Sequence, residues 1–131
     1  EAGSVSSINY VKNGIAGMLE NVPREKLIGG VPFYTRLWTE AGDGTITSKA
    51  MGIAEEKRWV DNNQVELTWQ ADTAQYYGEV QTSDGAQFLW MEEERSLKEK
   101  MNVIRQNDLA GVACWKLGFE DSAAWDSIQW N

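Results

Sequence analysis

Three consecutive carboxylates (Glu92-Glu93-Glu94), one thiol (Cys114), an arginine between aromatic residues (Arg36) and seven tryptophans are the side chains whose types and spacing could do chemistry. A carboxylic acid can protonate a leaving group and then activate water, but that work needs one acid in a dry pocket with a raised pKa. Three carboxylates in a row ahead of a predicted helix read instead as a solvated first turn, favoured by the helix dipole. Asp43-Gly44, Asp61 and Asp84-Gly85 read as turn residues. The chain has no histidine, so Cys114 has no imidazole to activate it. A zinc site built on His or several Cys is excluded on the same ground. Lying in the apolar run LAGVACW, Cys114 reads as a small core residue. No catalytic residue, metal ligand or cofactor site is assigned.

Binding chemistry has more to draw on. Seven Trp, four Tyr and three Phe in 131 residues offer flat faces that can stack on sugar rings or build a core. Trp38, Trp59, Trp69 and Trp90 could line a cleft, although core packing is the simpler reading of each. The net charge of −8, with no Lys or Arg run, argues against a nucleic-acid partner and against an anionic membrane surface. It leaves a neutral ligand open. No apolar run is long enough to span a bilayer, and no secretory leader opens the chain.

The elements that must position these groups follow from periodicity. Ile8, Val11, Ile15, Met18, Leu19 and Val22 recur at helical spacing, with Ser6 or Ser7 as cap and Pro23 as stop. Residues 26–34, KLIGGVPFY, lack polar alternation after Lys26 and predict a strand buried on both faces, with Pro32 near its end. Residues 39–45 read as a loop. Thr47 or Ser48 should cap a helix carrying Met51, Ile53 and Ala54 and ending before Asp61. Strands are expected over 65–70, 75–82 and 86–91, with a hairpin at Ser83-Asp84-Gly85. Ser96 is expected to cap the next helix, with Glu99 reaching back to it, and Leu97, Met101 and Ile104 give that helix its apolar stripe. Residues 109–115 predict a second doubly buried strand. Asp121 or Ser122 should cap a last short helix. Without residues 39–94, two βα units remain, a piece of a (β/α) barrel or an open parallel sheet. The long connection makes sense as an inserted subdomain.

KLIGGVPFYTRLW (26–38) resembles the seventh barrel strand of family 18 glycoside hydrolases, with its G-[VI]-P-F/L-Y-x-R pattern ahead of the chitinase insertion domain. LAGVACWKLGFED (109–121) is similar to the eighth strand, G-V-x-x-W, and residues 88–111 resemble the segment between. The resemblance covers nearly the whole chain. Its nearest branch is the bacterial one linked to spore cortex and cell-wall hydrolysis. It implies a partial (β/α)8 TIM barrel, strands seven and eight with helices six to eight, plus a small antiparallel α+β insertion. The expected units are residues 1–38, 39–94 and 95–131.

The family's D-x-x-D-x-D-x-E signature, whose Glu is the acid, is absent from this sequence, as is the Tyr-Asp pair that follows its sixth strand. The resemblance therefore implies a C-terminal portion of a glycosidase that is inactive alone and supplies substrate-binding residues. Its partner would be an N-acetylglucosamine-containing glycan, chitin or peptidoglycan, cut by the substrate-assisted route. By resemblance Trp115 would floor the sugar subsite where the bond is cut, and Tyr34 and Arg36 would contact hydroxyl or acetyl oxygens. Trp38 stands with them as a substrate-binding candidate. Thr35 departs from the Gly the family often carries between Tyr and Arg. The implied location is extracellular, or at the cell wall or spore. Unpaired barrel strands would expose edges for self-association. The competing reading is a non-catalytic carbohydrate-binding or wall-associated module.

Overall fold

The computed structural model describes residues 1–130. Helix α1 (Ile8–Leu19) buries Ile8, Val11 and Ile15, and Ser7 caps it by accepting from the Tyr10 N–H. It ends three residues short of Val22: the Asn21 and Val22 N–H groups both turn back to the Met18 carbonyl. Strand β1 (Ile28–Pro32) lies parallel to β7 (Gly111–Trp115), in a register that sets Ile28 against Gly111 and Pro32 against Trp115. This is the expected pair of parallel strands.

Strand β1 is shorter than the apolar run that predicts it. Phe33 is fully buried, and its N–H donates to the Trp115 carbonyl at 2.7 Å. Beyond this bend Tyr34 already belongs to β2 (Tyr34–Glu40) in a second sheet. The loop expected over 39–45 is thus a tight turn at 41–45 closing a hairpin. Strand β3 (Ile46–Gly52) pairs with β2 along its whole length, from Tyr34 against Gly52 to Glu40 against Ile46. The helix expected from Thr47 or Ser48 is therefore strand until Gly52. The β-branched Ile46 and Thr47 and the inward-turned Met51 suit a pleated surface better than a helix start. Helix α2 (Ile53–Asn62) begins only after Gly52.

Strands β4 (Leu67–Gln70), β5 (Gln75–Thr82) and β6 (Gly85–Trp90) complete an antiparallel sheet in the order β3-β2-β6-β5-β4. The β5–β6 hairpin falls where Ser83-Asp84-Gly85 predicts it. Only glycine fits at position 85: φ is +125°, and an added Cβ would sit 2.1 Å from the Glu40 carbonyl oxygen.

Helix α3 (Glu94–Gln106) lies across the back of β1 and β7 with α1 and the short α4 (Ser122–Ser127). Val31, Val112 and Cys114 point into this packed side, with Leu97, Met101 and Ile104. Gly29 lets α3 approach, since a Cβ there would come within 2.6 Å of Ile104. The other side of the pair is open: Ile28 is 59 % and Trp115 68 % exposed. A smaller core of Leu37, Met51, Leu89 and Met91 lies between the five-stranded sheet and α2, with Trp59 against it.

The start of α3 overturns two expectations. Its cap is Glu93, not Ser96. The Glu93 carboxylate accepts from the Arg95 and Ser96 N–H groups while the Ser96 hydroxyl accepts from the Glu93 N–H, a reciprocal capping box. Nor is the Glu92–Glu94 run solvated: Glu92 and Glu93 are buried. Burial raises the pKa of both carboxyls, while Lys100 and the Ser96 hydroxyl pull that of Glu92 back down.

Candidate functional site

Trp115 ends β7, and Pro32 stands beside it at the same end of β1. Alternation decides which way each residue faces. Cys114 turns back to the core, and Ala113 and Trp115 turn outward. The indole rims a hollow of about 380 Å³ shared with Ser6, Tyr10, Pro32, Tyr34 and Ala113. Its walls are mostly apolar, with phenol and seryl hydroxyls as polar points, a lining suited to one face of a sugar ring. A hollow of similar size, about 390 Å³, runs between α1 and β1. Val11, Ile15, Met18, Leu27 and Ile28 give it aliphatic walls, and Ser6, Tyr10 and Asn13 supply its polar points.

Tyr34, Arg36 and Trp38 are alternate residues of β2 and share one face. Tyr34 enters the Trp115 hollow and lies 6.2 Å, centroid to centroid, from Phe119. Arg36 and Trp38 follow it along the strand, away from the hollow. Arg36 takes no carboxylate partner among the described residues. Its Nε donates to the Ser48 hydroxyl at 2.8 Å and Nη2 reaches the Ser48 carbonyl at 3.4 Å, which orients the guanidinium on the sheet face. The Trp38 indole N–H donates to the Gly3 carbonyl at 2.9 Å. The structure thus brings Trp115 and Tyr34 together and sets Arg36 and Trp38 in line beyond them.

The same face carries further aromatic groups, Trp90 among them. Phe88 pairs across from Trp38 on β6, and Tyr77 across from Trp90 on β5. Trp90 lies 5.1 Å from Tyr77 and 6.1 Å from Phe88, and its indole N–H donates to the Gln70 side chain. The Tyr77 hydroxyl donates to Glu79 at 2.6 Å. Burial, then that carboxylate, pushes the phenol pKa upward, so Tyr77 stays a neutral donor. Trp59 and Trp69 lie on the opposite face, packed against core residues, and Arg95 covers the Trp69 ring at 3.7 Å. Period-two alternation separates Trp69 from Tyr77, Phe88 and Trp90 once the strand limits are known, while Trp59 is placed by the packed side of α2.

Among the described residues no cluster of His, Cys, Asp or Glu is arranged to hold a metal ion, and no helix is long and apolar enough to cross a membrane. Cys114 is half-buried, and burial raises its thiol pKa, the opposite of an activated nucleophile.

A model of glycosyl hydrolases family 18 matches residues 4–120. An uncharacterized glycosylase, YvbX, of Bacillus subtilis (strain 168) is 25 % identical over 130 residues, which cover 98 % of this chain and 37 % of that protein. Among solved structures, a chitinase from Chromobacterium violaceum superposes with a TM-score of 0.88 at 21 % identity, over 98 % of this chain and 39 % of its own. The spore cortex-lytic enzyme SleL of Bacillus megaterium gives 0.87 at 23 %, over 98 % and 30 %. The chain therefore spans between 30 % and 39 % of the length of these proteins.

Proposed function

Because the chain belongs to glycosyl hydrolase family 18, we propose that it is the closing part of a sugar-hydrolase barrel and supplies substrate-binding surface rather than the catalytic acid. In this reading β1 and β7 are the seventh and eighth staves of a (β/α)8 barrel. The five-stranded sheet with α2 is the inserted subdomain, its aromatic face forming one wall of the cleft. The ligand is an N-acetylglucosamine-containing glycan, chitin or peptidoglycan, and the protein works outside the cytoplasm, at the wall or spore. One observation carries the reading: a 68 % exposed indole stands at the C-terminal ends of two parallel strands, where barrel enzymes place their sites, over a hollow it shares with Tyr34.

The division of labour follows from the chemistry. Trp115 offers a face beneath the ring, Tyr34 a hydroxyl, and Arg36 a fixed guanidinium for ligand oxygens. None of the three is a carboxylic acid, the group this hydrolysis uses. The buried Glu92 is held by Lys100, Ser96 and Gln75 and is not free to act on a substrate. In this reading the acid comes from residues outside these 131. The reading frame ahead of Glu1 tests this: it should carry D-x-x-D-x-D-x-E, and the chain alone should not turn over a chromogenic N-acetylglucosamine oligomer. A complete frame lacking that motif, or turnover by the pure chain, would overturn the proposal.

The open side of the parallel pair carries a second expectation. With only one neighbour each, β1 and β7 present unpaired outer edges beside the exposed Ile28. Light scattering on the chain should show concentration-dependent association, weakened by Ile28→Lys. A monomer at every concentration would refute this.

A further inference from the structure

One buried group lies outside the Trp115 hollow and has no partner. Glu56, on the first turns of α2, is 0 % exposed, and neither of its carboxyl oxygens makes a hydrogen bond among the described residues. The backbone N–H of Glu92 points toward it without closing a hydrogen bond. Every nearby cation is already engaged. Lys57, its neighbour on α2, is shared between Glu94 of α3 and Asp121 ahead of α4. Lys100 of α3 donates to both oxygens of Glu92, at 2.9 and 3.0 Å. Lys49 of β3 pairs with Glu55 at the surface, and Arg36 of β2 is bound to Ser48 on the far face of the sheet. The Met91–Glu93 connection between β6 and α3 adds two more carboxylates, Glu92 and Glu93. An ionised Glu56 would face the charge of Glu92 and Glu93 with no closed hydrogen bond and only Lys57, already shared between two other carboxylates, to offset it, a state that buried groups avoid by keeping the proton. Burial first, and the charge of Glu92 second, hold its pKa well above the usual carboxylate range.

We propose that Glu56 is a neutral carboxylic acid in the folded protein and acts as an alkali-sensitive latch, seating α2 against the Met91–Glu93 connection where the five-stranded sheet joins the parallel pair. The position matters because hydrogen bonds from every side meet there. Gln75 of β5 bonds Glu92 and also accepts from Ser4 of the N-terminal segment, and Ser96 bonds Glu92 and completes the capping box of Glu93. A new charge on Glu56 would act on all of them at once.

The sign follows from proton counting. Unfolded, Glu56 ionises near pH ~4.3, while the folded chain keeps its proton. Above that pH the unfolded state binds fewer protons, so the stability the neutral acid lends is full below it and falls as pH rises, until the folded group itself ionises. Glu56→Gln and Glu56→Met remove this proton, the second without adding a donor. Above about pH 5 the folding constant of either variant, relative to wild type, should rise by about tenfold per pH unit until the folded acid titrates. In the wild-type chain the assigned Glu56 carboxyl carbon should stay at its protonated NMR position at neutral pH. When it titrates in alkali, the amides of 53–57 and 91–93 should shift with the same midpoint. Parallel stability curves, an ionised resonance at neutral pH, or amide shifts with a different midpoint would each overturn the latch, and the resonance decides even if neither variant folds.

Discussion

Lys100→Met destabilises the chain by about 3–5 kcal/mol, the usual cost of removing one partner of a buried ion pair. Both side chains of the pair are essentially inaccessible, so the cost is mainly that of stranding Glu92. Its carboxylate would keep only the Ser96 hydroxyl and the Gln75 amide. Against a total stability of roughly 5–15 kcal/mol for a single domain, this is a large fraction. Adding Glu92→Gln to Lys100→Met should recover part of the loss, because a neutral amide keeps an acceptor for Ser96 and needs no cation. Guanidinium unfolding followed by tryptophan fluorescence measures both. A loss below about 1 kcal/mol, the range of exposed pairs, would show that the pair does not hold the joint between α3 and the sheets.

That pair is also where the sequence reading went furthest astray. Three consecutive carboxylates resemble a solvated run, and charge alone gives no reason to bury them. The signal was the spacing: Ser96 and Lys100 stand four residues apart on one face of α3, and Glu92, just ahead of the cap, lies within reach of both. The cap went wrong for the same reason, since Ser-x-x-Glu at 96–99 and Glu-x-x-Ser at 93–96 are both plausible boxes and only burial chooses between them. Local signals that tertiary packing does not compete with were legible. Ser7 caps α1, Asp121 caps α4 by accepting from the Ala124 N–H, and glycine is required at the β5–β6 turn. The parallel strands were legible as unbroken apolar runs, but not the bend at Phe33, because KLIGGVPFY stays apolar across the junction of two sheets. In the candidate site, Tyr34, Arg36 and Trp115 were proposed from the family resemblance, and the fold brings Tyr34 and Trp115 to one hollow. Phe88, Tyr77 and Trp90 could join Trp38 only after strand pairing set their side of the sheet.

Trp115→Ala should cost at least about 2 kcal/mol of glycan affinity, roughly thirtyfold in Kd, the scale on which a central aromatic anchor acts. It should leave stability within about 0.5 kcal/mol of wild type, because a largely exposed side chain contributes little to the core. Few substitutions separate binding from folding so cleanly. Trp130→Ala is the matched control: that indole is exposed too but does not line the hollow. Calorimetric titration with an N-acetylglucosamine oligomer distinguishes the two variants. Equal losses from both would mean that the ligand meets exposed indoles indiscriminately.

The most direct test of the site is NMR titration of the chain with an N-acetylglucosamine oligomer, following the assigned indole and backbone N–H signals. The largest shifts should fall on the Trp115 indole and on Tyr34 and Arg36, then weaken along β2 toward Trp38. Shifts centred on Trp125 and Trp130, or on the hollow between α1 and β1, would contradict the placement of the sugar at the end of the parallel strands.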